Sequence, residues 1–166
     1  MEKSVFITGA TVNTGLGIAE KFAKEGYNLF LGSRNAENAE KTAKELSEKY
    51  GVYAKGYGMK IFDEENTKEI FTDIKNSGYS VDTLVLNAAN LGIRQQFFDV
   101  SIDDFMNVIN TNIGWNFMLS REAAIQMKEN GGGSIVFVNS NTAYRAIPDR
   151  IAYSASKSGA LGMMRA

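Results

Sequence analysis

SVFITGATVNTGLG, residues 4–17, carries the clearest indication of fold class in this chain of 166 residues. The segment opens with a short β-branched and aromatic run, continues as a glycine-rich turn and leads into a segment of helical period. A strand, such a turn and a helix in this order can receive a phosphate, because glycines allow close approach and the helix N-terminus offers unpaired N–H groups. The alternative is a tight turn whose glycines only let the helix pack on a sheet.

Four more short apolar runs follow, and segments of helical period separate them, which is the pattern of βαβ units around a parallel sheet. Each connection is long enough for a crossover helix. We therefore predict an α/β fold, a Rossmann-type doubly wound parallel sheet. The predicted strands cover residues 4–8, 28–32, 52–57, 83–87 and 134–139, and the predicted helices cover 15–25, 36–50, 64–76, 102–129 and 151 onward.

Composition excludes several kinds of chemistry and of partner. The 18 basic and 19 acidic residues nearly cancel, so we expect neither nucleic acid nor a membrane surface as a partner. The chain has no cysteine and no histidine, which removes thiolate, serine–histidine and imidazole–metal chemistry, and we predict no metal site. The apolar run near the N-terminus is too short for a signal peptide or a membrane span, and a cytoplasmic protein fits best.

The end of the second predicted strand bears on the choice of a dinucleotide. Such a strand end faces the adenosine ribose, where an acid selects NAD and a basic residue accommodates the 2′-phosphate of NADP. No acid appears before Glu37, whereas Ser33 and Arg34 stand at the strand end. A guanidinium matches phosphate geometry, so this end favours NADP(H) over NAD(H). The alternative is a solvated arginine that opens the next helix.

A phenol and an ammonium stand four residues apart in the last predicted helix, at Tyr153 and Lys157. This spacing places both on one face of the helix. A nearby cation stabilises phenolate and lowers the pKa of a tyrosine, so Tyr153 can donate or accept a proton near neutral pH. The alternative is an ordinary amphipathic helix end.

Together these features resemble the short-chain dehydrogenase/reductase family over essentially the whole chain. The matching parts are the glycine-rich loop, Asn87-Ala88-Ala89 after the fourth strand, Asn112 in the long helix, Ser140 at the end of the fifth strand, and the Tyr153–Lys157 pair. Ser140 precedes Tyr153 by 13 residues, a separation typical of the family. The implied strand order is 3-2-1-4-5, with the cofactor at the carboxyl ends of the strands.

The resemblance implies a role for each of four catalytic residues. Tyr153 would be the general acid or base, and Ser140 would hold the substrate oxygen near the phenol. Lys157 would lower the pKa of Tyr153 and bind the nicotinamide ribose, while Asn112 would maintain a distortion of the long helix and anchor a water. Alternatively, Ser140 only satisfies backbone groups at the strand end, and Asn112 only caps a kink beside Gly114. The implied cofactor contacts are Gly9, Thr11, Asn13, Gly15, Leu16, Gly17, Ser33, Arg34, Asn87, Ala88, Tyr153 and Lys157.

The chain departs from the usual family pattern at three places. The glycine-rich loop has two extra residues between Gly9 and Gly15, a spacing of enoyl reductase-like members. The segment after the fourth strand reads Leu86-Asn87-Ala88-Ala89, with one asparagine fewer and alanine in place of glycine. An acid that commonly contacts adenine near the end of the third strand aligns with Lys60, and Asp63 lies close by.

The resemblance implies that residues 1–166 are one NAD(P)-binding Rossmann domain of an oxidoreductase that interconverts a carbonyl and a secondary alcohol. The Tyr-x-x-x-Lys spacing favours a small-molecule ketone or alcohol over an enoyl thioester. The alternative is a non-catalytic NAD(P)-binding regulatory or scaffold protein. The resemblance also implies a homodimer or homotetramer, with Trp115, Phe117 and Met118 as candidates for its buried surface; the alternative is that they belong to the core of a monomer. Because the fifth strand is too apolar for an exposed sheet edge, we expect further strands beyond residue 166 in the natural protein.

Overall fold

A five-stranded parallel sheet forms the centre of the computed structural model, which describes residues 3–145 and 147–166. The strand order is β3-β2-β1-β4-β5, and all four neighbouring pairs are parallel. This confirms the predicted doubly wound topology. The strands are β1 Ser4–Thr8, β2 Asn28–Ser33, β3 Ala54–Gly58, β4 Thr83–Leu86 and β5 Ser134–Phe137.

Helices connect the strands and cover both faces of the sheet. They are α1 Asn13–Lys24, α2 Ala36–Tyr50, α3 Glu64–Asn76, α4 Ile102–Ile109, α5 Asn116–Glu129 and α6 Ile151–Arg165. A π-helical segment, Asn110–Trp115, joins α4 to α5. The helix predicted over 102–129 is therefore one rod with a widened turn in its middle, and Asn112 lies in that turn.

Several element ends differ from the prediction for local reasons. β4 stops at Leu86 rather than at residue 87, because the N–H of Asn87 leaves the ladder and donates to Oγ1 of Thr8 at 3.0 Å. β5 stops at Phe137, which pairs with the last residue of β4. α1 begins at Asn13, two residues before the predicted start, because the expanded loop already turns there.

The core lies on both faces of the sheet. One layer packs Phe6, Phe30 and Leu84 of the sheet against Ile74 of α3 and Leu119 of α5. The other layer packs β1, β2 and β4 side chains against α1 and α2, and its fully buried members include Val5, Ile7, Leu29, Leu31, Ala19 and Ala43. Because both faces are covered, all five residues of β1 are buried and the strand shows no apolar–polar alternation.

Of the three long-helix side chains predicted for a subunit interface, only Phe117 is exposed. Trp115 is buried in the core layer that contains Phe6, and Met118 packs against the same layer. Trp115 therefore belongs to the core of the single chain, the alternative to an interface, because the indole lies on the face of the rod that is turned toward the sheet.

The β5 strand is the least covered part of the sheet. Its outer edge has no partner strand among residues 3–145 and 147–166, and Val136 is 45% exposed. A strand of this composition is ordinarily covered on both faces in a parallel sheet. Within the same described residues, no helix is both long enough and apolar enough to cross a bilayer.

Candidate functional site

The glycine-rich corner is held by hydrogen bonds between the ends of β1 and β4. Nδ2 of Asn87 donates to the carbonyl oxygens of Thr8 and Gly9 at 3.0 and 3.1 Å. The N–H groups of Asn87 and Ala88 both donate to Oγ1 of Thr8 at 3.0 Å. The first glycine turn is thus fastened to the segment after β4, which is the second place where the sequence predicts cofactor contacts.

Two glycines of the loop are required by the geometry of this corner. Gly9 has a φ of +65°, a conformation that L side chains rarely adopt. A Cβ on Gly15 would lie 2.0 Å from the carbonyl oxygen of Gly9 and 2.7 Å from Nδ2 of Asn87. Gly15 therefore lets the first turn of α1 approach the end of β1 and the Asn87 amide.

The N-terminus of α1 is open to an anion. Val12 occupies the N-cap position and supplies no hydrogen-bonding side chain, so no side chain of the described residues caps the helix. Asn13 has a φ of 47°, which asparagine tolerates better than most residues. N–H groups of a first turn that lack such a cap can bind a phosphate, and the positive end of the helix dipole strengthens the interaction.

A cleft of about 770 Å³ opens in front of this corner. It is large enough for a nucleotide ligand. Eight residues predicted for the cofactor line it: Gly9, Thr11, Asn13, Gly15, Ser33, Arg34, Asn87 and Ala88. Four others do not line it, namely Leu16, which packs against the core, Gly17, which is exposed on α1, and the pair Tyr153 and Lys157.

The cleft carries very little charge. Arg34 is the one charged residue among the described residues that line it, and no carboxylate is present there. Thr11 and Ser33 join the glycine-rich loop to the end of β2 through their hydroxyl groups, 3.4 Å apart. A cleft with one guanidinium and no acid fits a ligand that carries several phosphates, because a carboxylate would repel it.

Part of the lining was not predicted from the sequence, chiefly Met59, Ile61, Asn107, Thr111 and Trp115. The last three recur every four residues along the long helix, so they share one helix face. The four-residue spacing could have predicted from sequence that these residues share a helix face, but only the packed structure shows that this face closes the cleft.

The contacts of Lys60 and Asp63 do not support either residue as a partner for adenine. The N–H of Lys60 donates to Oδ1 of Asn66 at 2.8 Å, and Lys60 is not among the lining residues. Asp63 is the N-cap of α3, and its carboxylate accepts from the N–H of Asn66 at 2.8 Å. The acid near the end of β3 is therefore used to start a helix.

Lys157 is a buried ammonium without a carboxylate partner in the described part of the chain. The residue is 7% exposed, and its Nζ donates to the carbonyl oxygen of Val138 at 2.9 Å. Nζ also lies 5.7 Å from the centre of the Tyr153 ring. Burial lowers the pKa of Lys157 from its ordinary value. A buried cation with one strong acceptor retains donors for the hydroxyl groups of a ligand.

Asn112 connects three elements through its side chain and is 2% exposed. Oδ1 accepts from the N–H of Asn90 at 2.7 Å, and Nδ2 donates to the Asn90 carbonyl and to Oγ of Ser156 at 2.8 and 2.9 Å. Oγ of Ser156 in turn donates to the carbonyl of Tyr153 at 2.8 Å. The π-helical turn thereby fastens the loop after β4 to the helix that carries the tyrosine.

Ser140 stands just beyond β5 and caps the short 3-10 turn Asn141–Ala143. Its Oγ accepts from the N–H of Thr142 at 3.3 Å and makes a short contact with the Thr142 hydroxyl. Ser140 thus satisfies a backbone group past the strand end. This contact agrees with the alternative that Ser140 has a structural role only. Its role toward a substrate stays a prediction.

A small pocket beside the cleft contains Tyr153. Leu91 lines both this pocket and the cleft, so it stands at their junction. Arg150 donates to the carbonyl of Leu91 at 2.8 Å, and the N–H of Gln95 donates to the carbonyl of Asp149 at 3.1 Å. The loop after β4 and the loop before α6 are therefore bound to each other next to the tyrosine. Among the described residues no group of three or more acidic side chains could hold a metal ion.

The buried ammonium predicts a pH dependence of stability. Because the folded-state pKa of Lys157 is below its ordinary value of 10.5, the unfolded chain binds more protons between the two values. The free energy of unfolding of the wild-type protein should therefore rise, relative to that of Lys157→Met, as the pH approaches 10.5. Urea unfolding of both proteins from about pH 8 upward measures this difference. A difference that stays constant or falls would contradict the burial of a charged Lys157.

Comparison with known proteins agrees with this geometry. The sequence matches the family model described as short chain dehydrogenase over residues 3–166. A 3-oxoacyl-[acyl-carrier-protein] reductase FabG of Aquifex aeolicus is 30% identical over 98% of this chain and 65% of its own length. A 3beta-hydroxysteroid dehydrogenase of Mediterraneibacter gnavus is 31% identical over 99% of this chain and 59% of its own length. The chain thus spans about 60 to 65% of these curated relatives.

Solved structures show the same fold. An alcohol dehydrogenase of the archaeon Thermococcus sibiricus, complexed with 5-hydroxy-NADP, superposes with a TM-score of 0.91 at 28% identity, covering 99% of this chain and 69% of that one. An actinorhodin polyketide ketoreductase with NADPH gives a TM-score of 0.91 at 29% identity, covering 98% and 62%. Because the family model matches residues 3–166, almost the entire chain, the chain belongs to the short-chain dehydrogenase family.

Proposed function

We propose that this protein is a cytoplasmic, NADP(H)-dependent oxidoreductase that interconverts a carbonyl and a secondary alcohol. The observation that carries the proposal is Lys157, a buried ammonium beside the Tyr153 ring that no carboxylate of the described residues neutralises. Such an arrangement costs folding free energy, and it is useful where a phenolate or ligand hydroxyl groups need a cation.

In this proposal Tyr153 gives a proton to the carbonyl oxygen during reduction and takes it back during oxidation. Lys157 favours the phenolate and donates to ribose hydroxyls. Ser140 donates to the substrate oxygen, so that its position is set before the proton moves. Asn112 holds the helix of Tyr153 in place through Ser156 and anchors a water near Lys157. The bound nicotinamide supplies the hydride.

Support for the cofactor comes from the cleft. Its glycine corner and uncapped helix can offer N–H groups to a pyrophosphate, and Ser33 and Arg34, which line the cleft at the end of β2, would bind the 2′-phosphate. The absence of a carboxylate from the described lining argues against NAD(H), whose ribose an acid usually binds. Two of the similar structures, of an alcohol dehydrogenase and a polyketide ketoreductase, were solved with 5-hydroxy-NADP and NADPH.

A binding titration tests the proposal first. Trp115, the single tryptophan of the chain, lines the cleft, so energy transfer from its emission to a reduced nicotinamide reports binding directly. NADPH should bind more tightly than NADH, and the protein should consume NADPH in the presence of at least one member of a panel of ketones. Binding of neither dinucleotide would overturn the proposal.

Replacing Arg34 tests the preference for NADP(H). Arg34→Ala should weaken NADPH binding by about 10- to 100-fold, the worth of a charge-assisted pair with phosphate, and leave NADH binding nearly unchanged. Arg94→Ala is the matched control, since Arg94 is an exposed arginine outside the described lining of the cleft. Energy transfer from Trp115 measures the NADPH and NADH affinities of the wild-type protein and of both variants. Equal losses for NADPH and NADH would refute a 2′-phosphate contact.

One observation favours a second function. Ser140, Tyr153 and Lys157 are absent from the described lining of the cleft, so a nucleotide can occupy the cleft without touching them. A non-catalytic NADP-binding protein would keep this cleft and show no turnover. Binding of NADPH with no carbonyl reduction across the panel would favour that function.

We also propose a homodimer or homotetramer. The exposed apolar side chains of the rod, Met106 and Phe117, offer a surface for a second copy. Sedimentation of the protein measures its oligomeric state.

A further inference from the structure

Two walls of the cleft come from separate parts of the chain. One is the segment after β3, where Met59 and Ile61 line the cleft. The other is the face of the long helix that carries Asn107, Thr111 and Trp115. A ligand binds best between such walls when their separation is set before it arrives, because no free energy is then spent on ordering them.

Phe62 connects these two walls from outside the cleft. It directly follows Ile61, and its ring lies against Gly114, which directly precedes Trp115. A Cβ on Gly114 would lie 2.5 Å from Cε2 and 3.1 Å from Cδ2 of the ring, so the ring fills the space that a side chain would take there. The contact therefore joins the neighbour of one lining residue to the neighbour of another.

The backbone of Phe62 is held in a conformation that a bulky residue rarely adopts. Its φ is 57°, in the left-handed region. Hydrogen bonds fix the chain on both sides of it, because Asn66 accepts from the N–H of Lys60 and donates its own N–H to Asp63, each at 2.8 Å. The ring is still 43% exposed, so burial alone does not account for this position. Strained residues of this kind cluster at ligand clamps.

The π-helical turn that receives the ring is itself fastened to α6. The Ile113 side chain lies against Gly159, where a Cβ would come within 2.6 Å of its Cδ1. Nδ2 of Asn112 donates to Oγ of Ser156 on the same helix at 2.9 Å. Gly114 is therefore part of a well-supported surface, against which the ring can fix the segment after β3.

We propose that Phe62 is a positioning residue of the cleft: its ring, seated on Gly114, holds the segment after β3 at the distance from the long helix that a bound dinucleotide requires. Phe62 is not in the described lining, so it acts through the walls and not by contact with the ligand. The inference rests on the proposed dinucleotide site. Loss of the ring should affect NADPH and NADH alike, unlike the loss of Arg34.

Trp115 reports the separation of the walls without any ligand. It is the single tryptophan of the chain and is 2% exposed. Phe62→Ala should raise the quenching of Trp115 by acrylamide about twofold or more, because the wall next to it opens more often. Phe98→Ala is the control, since Phe98 is 92% exposed and outside the described lining of the cleft and of the Tyr153 pocket. Equal quenching in Phe62→Ala and the wild type would overturn the inference.

Dinucleotide affinity measures the consequence for the site. Phe62→Ala should weaken NADPH and NADH binding by the same factor, about 5- to 10-fold, because a smaller fraction of the protein has the binding-competent separation of the walls. Unchanged affinities, or a loss confined to NADPH, would overturn the inference and leave the proposed function intact. Binding of neither dinucleotide by the wild-type protein would overturn both.

Further variants test whether the contact between ring and glycine is the cause. Gly114→Ala should displace the ring, because its Cβ overlaps Cε2, and should reproduce both effects. In the double variant with Phe62→Ala the two losses should not add, since both remove one contact. Phe62→Gly accepts the φ of 57° without strain and should match Phe62→Ala. Additive losses, or wild-type behaviour of Phe62→Gly, would overturn the inference.

Discussion

Tyr153→Phe is expected to lower carbonyl reduction by about 100- to 10,000-fold, the usual contribution of a positioned general acid. The ring and its place beside Lys157 are retained, and only the hydroxyl that carries the proton is lost. NADPH affinity should change little, because Tyr153 is not among the described lining of the cleft. Steady-state turnover and the Trp115 titration measure the two quantities separately.

The control for this prediction is Tyr27→Phe. Tyr27 precedes β2, at the edge of the sheet opposite the carboxyl ends, and packs edge-on against Phe22 at 4.9 Å between ring centres. Removal of its hydroxyl should leave turnover unchanged. If Tyr153→Phe also retained full turnover, Tyr153 would not be the general acid.

Gly15→Ala is expected to destabilise the glycine corner by about 3 kcal/mol or more and to abolish NADPH binding, because the new methyl group meets backbone rather than a flexible side chain. The closest atom is the Gly9 carbonyl oxygen, 2.0 Å from the added Cβ. To relieve this overlap, α1 must move away from β1, which breaks the Asn87 contacts with the loop. Urea unfolding and the dinucleotide titration report the two losses.

Gly17→Ala is the matched control, two residues further along the same helix. Nothing lies within 4 Å of a Cβ at Gly17, and the residue is exposed. Alanine should therefore raise the free energy of unfolding by about 0.5–1 kcal/mol, because glycine is a poor helix former. Equal destabilisation by Gly15→Ala and Gly17→Ala would contradict the packing described for the corner.

The α/β class could be predicted because each apolar run and each crossover is recognised locally, whereas the order of the strands was implied by the family resemblance. β1 and β2 are apolar along their whole lengths, as strands buried on both faces must be. The glycine spacing after β1 also predicts the corner at the end of that strand, and this prediction needs no information about distant residues. Arg34 was predicted at the cleft for the same reason, since it directly follows β2.

Other parts of the site depend on residues that meet only after folding. The acid near β3 illustrates this: Asp63 suits adenine or a helix cap equally well in sequence, and its bond to the Asn66 N–H resolves the choice. Trp115 and Phe117 stand two residues apart on one rod, yet one is in the core and the other is exposed, because the sheet covers one side only.

By itself the sequence determined the α/β class, the glycine-rich corner after β1, the family and the absence of cysteine and histidine chemistry. Each of these follows from neighbouring residues or from composition. The tertiary structure alone decided which residues form the two walls of the cleft, that no carboxylate lies in their described lining, and that Asn112 joins Asn90 to Ser156. Those contacts connect segments 22 and 44 residues apart, and their geometry exists only once the sheet and the long helix have packed.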